Sequence, residues 1–439
     1  MQTKYLIIGS SHAGLTAAEE IRVHDQDGAL TMVSMEDCLP YSPTILPYIV
    51  EGKVDEKLIY LRDEKYFTDN KITFLKGKKV VTVDTKSSTV TLDDGTKIEY
   101  EKLMIGTGSA PTIPPVPGLK EAKYHVLRTM EDARKINQAA ETAKHAVVMG
   151  TGLVGMHAAE GLGKKGLEVE LIRGRRRAVL PNYFDGNAGK LIHQVFLDNG
   201  IKCNLDFQVK EVESVNGKSK VTLSHGEVVE TDLLLVGTGV KSRMDFLGDA
   251  SGVQVDQGIL VDTMMRTSVE NVWAAGDVAQ AADFYGDERI LTAILPDAYE
   301  QGKVAGLSMA GDETVIQAFE EIGGQASESY RGGISMNTFN FYGNRSFAVG
   351  LSLVSEEDGF EIDTMLFPTS CMYQKLVFDG DFLVGAIGIN VTLDPGVITN
   401  MIRYKINLQG KKAEFARSPL DMSRRIMWES WRGAIKTAG

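Results

Sequence analysis

At 439 residues, with 43% hydrophobic and 24% charged side chains, the chain is too long for one ordinary core and has the composition of a globular protein. Its net charge of −12 disfavours non-specific attraction to nucleic acid or anionic lipid, and no stretch approaches the roughly 18 apolar residues needed to cross a bilayer. The cysteines Cys38, Cys203 and Cys371 are too widely spaced for a CxxC pair or a local iron–sulfur ligand run, so redox chemistry has to come from a bound cofactor.

The apolar run YLIIG, residues 5–9, predicts a first strand rather than a leader. It opens into GSSHAG, and the helical pattern GLTAAEEIRV and the strand pattern ALTMVS follow. Gly9 permits a tight turn off the strand and Gly14 lets the helix pack closely, so a pyrophosphate can sit on backbone N–H groups of Ser11, His12 and Ala13 at the helix start. Serine replaces the middle glycine and adds a hydroxyl. Glu36 lies 22 residues beyond Gly14, about where a carboxylate accepts hydrogen bonds from a ribose diol.

A second unit of the same kind begins at HAVVMGTGLVG, with Gly150, Gly152 and Gly155 at full spacing between a strand and a helix. Where an acid would end its second strand the chain has Arg173, Arg175, Arg176 and Arg177. Guanidinium groups there suit the 2'-phosphate of NADP, and equally a solvated basic loop or one that docks an acidic partner.

From about residue 320 the pattern changes to short β-rich segments, with FDGDF, 378–382, marking a hairpin. The tail predicts a helix with Ser418 as N-cap, Pro419 at the first position and Asp421 in the first turn. Leu420, Met427, Trp431 and Ile435 share its apolar face, and from Lys411 to the end there are seven basic and three acidic residues. Packing on its own chain and docking to a partner protein are both open readings of that helix.

Two further segments, LMIGTGSAPTIPPVPG at 103–118 and VWAAGDVAQ at 272–280, stand in order around the second loop. The series resembles the FAD-dependent pyridine nucleotide-disulfide oxidoreductase superfamily over nearly the whole chain. The resemblance implies an α/β protein with two Rossmann-like nucleotide-binding domains and a C-terminal α+β interface domain. The FAD domain would be 1–115 and 266–318, split by an NAD(P) domain at 116–265, with 319–439 as the interface domain. It further implies that Gly9 and Gly14 meet the FAD pyrophosphate, Glu36 its ribose, and Val80 the adenine. Thr107, Gly108 and Asp277 match its other FAD motifs, and Ala298 the start of a helix facing the flavin.

The chain also departs from that pattern. His12 matches a histidine of the NADH peroxidase and oxidase branch, but Thr44 falls at the position of that branch's redox cysteine, six residues after Cys38. A threonine cannot cycle through thiolate and sulfenic acid. LPYSPTILP is nearer to the rubredoxin-reductase pattern, with Pro43 and Tyr48 in place of basic residues. His157 replaces a glutamate near the expected nicotinamide pocket and reads either as an electrostatic tuner or as a helix histidine satisfied by a neighbour.

With no active-site cysteine, the chemistry left to this fold is electron transfer between a nicotinamide and a one-electron carrier through FAD. The whole chain resembles NAD-linked flavoprotein subunits of multi-subunit 2-oxoacid oxidoreductases of anaerobic aromatic degradation. That resemblance implies NAD(H), with NADP the alternative raised by the arginines, an iron–sulfur partner within a hetero-oligomeric complex, and a cytoplasmic location. A stand-alone ferredoxin or rubredoxin reductase, an NAD(P)H oxidase and a non-catalytic flavoprotein sensing the nicotinamide pool are the alternatives.

Overall fold

The computed structural model describes residues 1–311 and 329–437, with residue 250 and residues 430–437 described by backbone alone. The chain forms two compact units. The first comprises Met1–Thr112, Arg128–Ala133 and Val240–Gly333, and the second Ile113–Leu127, Arg134–Gly239 and Ile334–Gly439. The chain returns to the first unit at Val240, not at the expected 266, because Val240–Ser242 pairs antiparallel with Ser109–Pro111 and Phe246, Val253 and Ile259 join the first unit's core. From Ile334 on, the chain belongs to the second unit. The expected boundary at 318/319 lies outside the described residues.

In the first unit, Ile72–Leu75, Leu30–Val33, Gln2–Ile8 and Lys97–Ile105 lie side by side in parallel, and Val272–Ala274 pairs parallel to the end of Lys97–Ile105. Leu6, Ile7 and Ile8 are buried, as a strand covered on both faces requires. Ile8 is level with Val33 and Ile105, and Ile105 with Ala274, so these strands end together. Everything that follows their carboxyl ends is delivered to one place, where open α/β sheets bind ligands.

The second unit repeats the arrangement with four parallel strands in the order Lys202–Asn204, Glu168–Ile172, His145–Met149 and Leu233–Val236. Val209–Val215, Lys218–Leu223 and Val228–Thr231 add a three-stranded antiparallel sheet. The C-terminal segment forms a five-stranded antiparallel sheet in the order Met336–Phe341, Asn344–Gly350, Phe382–Ile389, Met372–Asp379 and Glu361–Phe367. FDGDF makes the expected hairpin: Asp379 pairs with Phe382 across Gly380, whose φ of 56° is the left-handed conformation that suits glycine.

Within this second unit, Asp185 caps the helix Gly186–Asp198 through the backbone N–H groups of Asn187 and Ala188 and accepts a 2.6 Å hydrogen bond from the Tyr373 hydroxyl. The buried Lys375 donates to the carbonyls of Ser352 and Val354. Its ammonium pKa is lowered, chiefly by burial. The two carbonyls give the ammonium the partners that a buried charge requires. They tie the C-terminal sheet to the segment before its second strand pair.

The terminal helix runs Pro419–Thr437, starting where Ser418, Pro419 and Asp421 predict. Its buried stripe differs from the expected one. Met422, Ser423, Ile426 and Met427 are buried while Leu420 is only half-buried, and the side chains of Trp431 and Ile435 lie outside the described residues.

Candidate functional site

The first cradle is built where the strands of the first unit end. Gly9 has a φ of 110°, and a Cβ there would lie 2.1 Å from the Gly106 carbonyl oxygen. A Cβ on Gly14 would lie 2.0 Å from the Gly9 oxygen, so both positions exclude any side chain. The helix His12–His24 starts at Ser11, whose side chain makes no capping bond, and its first turn holds no acid. Its N-terminal N–H groups and positive dipole end therefore remain available to an anion.

Three chain segments converge on this helix start. A Cβ on Gly276 would touch that of Ala13 at 3.2 Å and that of Ala298 at 3.8 Å, and one on Gly302 would strike the Ala13 carbonyl oxygen at 2.5 Å. The loop, the Gly276-Asp277 turn and the start of the helix Leu295–Ala310 are thus in close approach. Thr107 donates through its hydroxyl to the Arg243 carbonyl, and the Arg243 N–H donates to the Gly108 carbonyl. Val80 is placed differently from the other expected residues: its side chain is part of the hydrophobic core.

Asp277 accepts hydrogen bonds from Arg128 Nη2 at 3.0 Å and from the Ser109 hydroxyl at 2.9 Å, and Arg128 Nε donates to the Ser109 carbonyl. Arg128 was not among the residues singled out from sequence. The only local signal was a capping pattern beside it: Asp132 accepts from the N–H groups of Arg128 and Thr129, and the Thr129 hydroxyl accepts from the Asp132 N–H. That pattern announces a helix and says nothing about the aspartate 149 residues away.

Glu36 follows the second strand as expected and is already engaged. Both its oxygens accept from the Tyr41 hydroxyl, at 3.0 and 2.8 Å, and one also accepts from the Met130 N–H at 2.9 Å. Burial, and then the Glu36 charge, push the Tyr41 phenol well above the ordinary tyrosine range, so Tyr41 stays a donor. A carboxylate has about four lone-pair sites, which leaves room for a diol. Thr44 is exposed and pairs its hydroxyl with Ser42. None of the three cysteines is in a disulfide, and burial pushes the Cys203 thiol up to about 12. No redox pair exists among them.

His12 is 7% exposed, lies 4.8 Å from the Tyr299 ring, and neither of its ring nitrogens has a hydrogen-bond partner. Burial lowers its pKa below the usual 6.5, and the Asp277 carboxylate offsets part of that. The unfolded chain then binds a proton near pH 6.5 that the folded chain refuses until lower pH. Stability from this group is full above about pH 6.5 and falls on acidification, by at most about 1.4 kcal/mol per pH unit for one proton. Urea unfolding of the apoprotein between pH 7 and 5 is expected to show this loss, and His12→Leu to shallow the slope. An unchanged slope in the variant would assign the loss to other groups, of which His193, also lowered by burial, is the first candidate.

The second cradle repeats the first with one difference. Gly150 has a φ of 112°, a Cβ there would lie 2.3 Å from the Gly237 oxygen, and one on Gly155 would lie 1.9 Å from the Gly150 oxygen. Gly152, the uncapped N-cap of the helix Leu153–Lys164, has nothing within 4 Å of its would-be Cβ. His157 lies on that helix with its ring 4.5 Å from Phe341 and Nδ1 3.8 Å from Glu160. The buried Glu160 also accepts from Lys164 Nζ and the Tyr342 N–H.

The arginines brace their own segment. Arg173 donates to the Gly174 and Arg175 carbonyls, Arg176 to the Pro181 carbonyl at 2.9 Å, and Arg177 to the Asp206 carbonyl at 3.2 Å. Both cradles fit a dinucleotide pyrophosphate: each offers an uncapped helix N-terminus beside glycines that admit no side chain, and the first adds a buried imidazole with no partner.

Residues 3–308 match the pyridine nucleotide-disulphide oxidoreductase family. The chain belongs to that family. It is 42% identical to the NADH-dependent phenylglyoxylate dehydrogenase subunit epsilon of Aromatoleum evansii, over 98% of each chain. It is 33% identical to an NADH oxidase of Methanocaldococcus jannaschii over 70% of each. Among solved structures, a ferredoxin reductase from Rhodopseudomonas palustris shares the fold with a TM-score of 0.77 at 24% identity, covering 88% of this chain and 91% of that one. This oxidoreductase is therefore an NAD-linked flavoprotein of the α/β two-nucleotide-fold type, with FAD and NAD(H) as its cofactors. Among the described residues no helix is long and apolar enough to cross a membrane.

Proposed function

We propose that this oxidoreductase passes electrons between NAD(H) and an iron–sulfur partner, as the NAD-reducing subunit of a cytoplasmic 2-oxoacid dehydrogenase complex of the phenylglyoxylate type. The observation that carries the reading is 42% identity running end to end with a subunit of such an enzyme. Bound FAD supplies the chemistry, because it exchanges a hydride with a nicotinamide and single electrons with a one-electron carrier. In this reading the chain's own residues bind, orient and exclude.

Gly9, Ser11, His12, Ala13 and Gly14 hold the FAD pyrophosphate on backbone N–H groups, and Glu36, positioned by its donors Tyr41 and Met130, takes the ribose. Thr107, Gly108 and Asp277 line the next stretch, with Arg128 fixing the carboxylate, and the uncapped start of Leu295–Ala310 at Ala298 turns its dipole to the same place. Val80 contributes through the strand end it begins. Gly150, Gly152 and Gly155 receive the nicotinamide dinucleotide, with His157 on the same helix.

Arg173, Arg176 and Arg177 each engage nearby main-chain carbonyls with part of their guanidinium donors, and the preference for NAD(H) over NADP(H) rests on the end-to-end likeness to an NADH-dependent subunit. Exposed Thr44 has no thiol to give, so electrons have no disulfide to pass through. Anaerobic stopped-flow reduction of the FAD-loaded chain is expected to bleach the flavin band at least ~10-fold faster with NADH than with the same concentration of NADPH. Faster bleaching by NADPH would return the arginines to a 2'-phosphate and count against the complex named above. The 33% identity to an NADH oxidase favours a second reading, a free-standing oxidase. Rapid oxygen turnover by the isolated chain would support it.

A further inference from the structure

The terminal helix of this oxidoreductase is fastened to its own unit on one side and presents an unusual face on the other. Pro419, Met422, Ser423, Ile426 and Met427 are buried, and just upstream Phe415 is fully buried with its ring 6.3 Å from that of Phe378. Lys411 Nζ reaches Glu429 at 3.3 Å and clamps the middle of the helix to the turn before it. These contacts turn the apolar residues Met422, Ile426 and Met427 of the helix into its own unit.

The exposed positions in the described part of the helix are Asp421, Arg424, Arg425, Trp428 and Glu429, with Arg417 exposed two residues before the helix begins. Trp428 is 59% exposed, which leaves a large indole surface in water. Among the described residues Arg417 and Arg424 make no ion pair, and Arg425 makes only long ones, 3.7 Å to Glu414 and 3.8 Å to Glu429. Desolvating such loosely held guanidinium groups costs little pairing within the chain. Tryptophan and arginine are also the residues that most often carry interface binding energy.

The charge is as distinctive as the exposure. The chain carries −12 in total, yet the segment from Lys411 to the end has seven basic and three acidic residues. We propose that the outward face of the terminal helix, through Arg424, Arg425 and Trp428, docks an acidic protein surface. That this surface belongs to the electron-transfer partner rests on the function proposed above. The complementary charge orients the encounter, and the indole supplies the apolar anchor at its centre. A membrane is the poorer fit. An interfacial helix inserts its apolar face, and here Met422, Ile426 and Met427 are already turned into the protein.

The test is calorimetric binding of the full-length, FAD-loaded chain to a plant-type two-iron ferredoxin with an acidic surface, at low and at high salt. Wild type is expected to bind at low salt and weaken as salt rises. Arg424→Glu/Arg425→Glu is expected to weaken binding at least ~10-fold and flatten the salt dependence, and Trp428→Ala to weaken it ~10-fold without changing that dependence. NADH bleaching of the flavin should stay unchanged in both variants, which shows that they fold and hold FAD. No binding by wild type, or equal binding by all three proteins, overturns the proposal. Variant-sensitive binding to phosphatidylserine vesicles in place of the ferredoxin overturns it in favour of a lipid surface. Variant-sensitive ferredoxin binding without NADH-supported ferredoxin reduction upholds the docking face and counts against the electron-transfer reading alone.

Discussion

Replacing Gly152 by valine is expected to slow flavin reduction at sub-saturating NADH by about 100-fold, or about 2.7 kcal/mol, and to leave the FAD content unchanged. The other glycines of that loop cannot test a ligand role cleanly. Gly150 sits at a φ of 112°, and a Cβ on Gly155 would lie 1.9 Å from a carbonyl oxygen, so substitution there strains the backbone first. Gly152 has an ordinary φ of −81°, and its would-be Cβ meets nothing within 4 Å. The chain therefore has no packing reason for a glycine at this position. A side chain would fill only the open space in front of the uncapped N–H groups of the helix Leu153–Lys164, where a dinucleotide phosphate would approach. Loss of stability should stay within about 1 kcal/mol, the scale of an N-cap change. The measurement is stopped-flow bleaching across an NADH series beside a thermal melt. A rate within threefold of wild type would remove Gly152 from the binding site.

The second large effect is expected at Asp277. Its carboxylate is the shared acceptor of Arg128 Nη2 and the Ser109 hydroxyl, and its main-chain oxygen accepts from the Ser242 hydroxyl. The ion pair is about three-quarters buried, with side-chain exposures of 25% and 22%. Asp277→Ala leaves the guanidinium one donor on the Ser109 carbonyl and removes the acceptor of the other, beside the backbone of Gly108. A partly buried charge left without its partner costs about 2–3 kcal/mol. The variant is expected to purify largely without FAD and to melt lower, while Ser242→Ala, which leaves the carboxylate in place, keeps its flavin. The flavin-to-protein absorbance ratio decides the matter, and full FAD occupancy in Asp277→Ala would show that the carboxylate serves only the fold.

Both predictions concern residues that differ in how far they can be read from sequence. Gly152 is legible because a strand, a turn, a glycine spacing and a helix follow one another within a dozen residues, and each has a local cause. Asp277 is legible as part of the AAGD segment, but its partner is not. Arg128 lies 149 residues away and meets it only because the strands Lys97–Ile105 and Val272–Ala274 run parallel and end level. Glu36 is similar. Its distance from the first loop marks it, yet its engagement by Tyr41 and Met130 depends on where a distant helix begins. The arginines show the limit from the other side, since their chemistry suits a phosphate while Arg173, Arg176 and Arg177 also reach nearby main-chain carbonyls, a use that the sequence does not disclose.

What the sequence by itself determined is the local grammar: two βα units with their glycine turns, the Asp379–Phe382 hairpin and the start of the terminal helix at Pro419. These follow from backbone sterics, hydrophobic period and capping, each of which acts over a few residues. Only the tertiary structure decided that the chain rejoins the first unit at Val240, that Arg128 holds Asp277, and that Met422 and Ile426 face inward while Trp428 faces out. The reason is that a strand's partner and a helix's buried stripe are set by the surface that receives them, and that surface is assembled from residues far away in the chain.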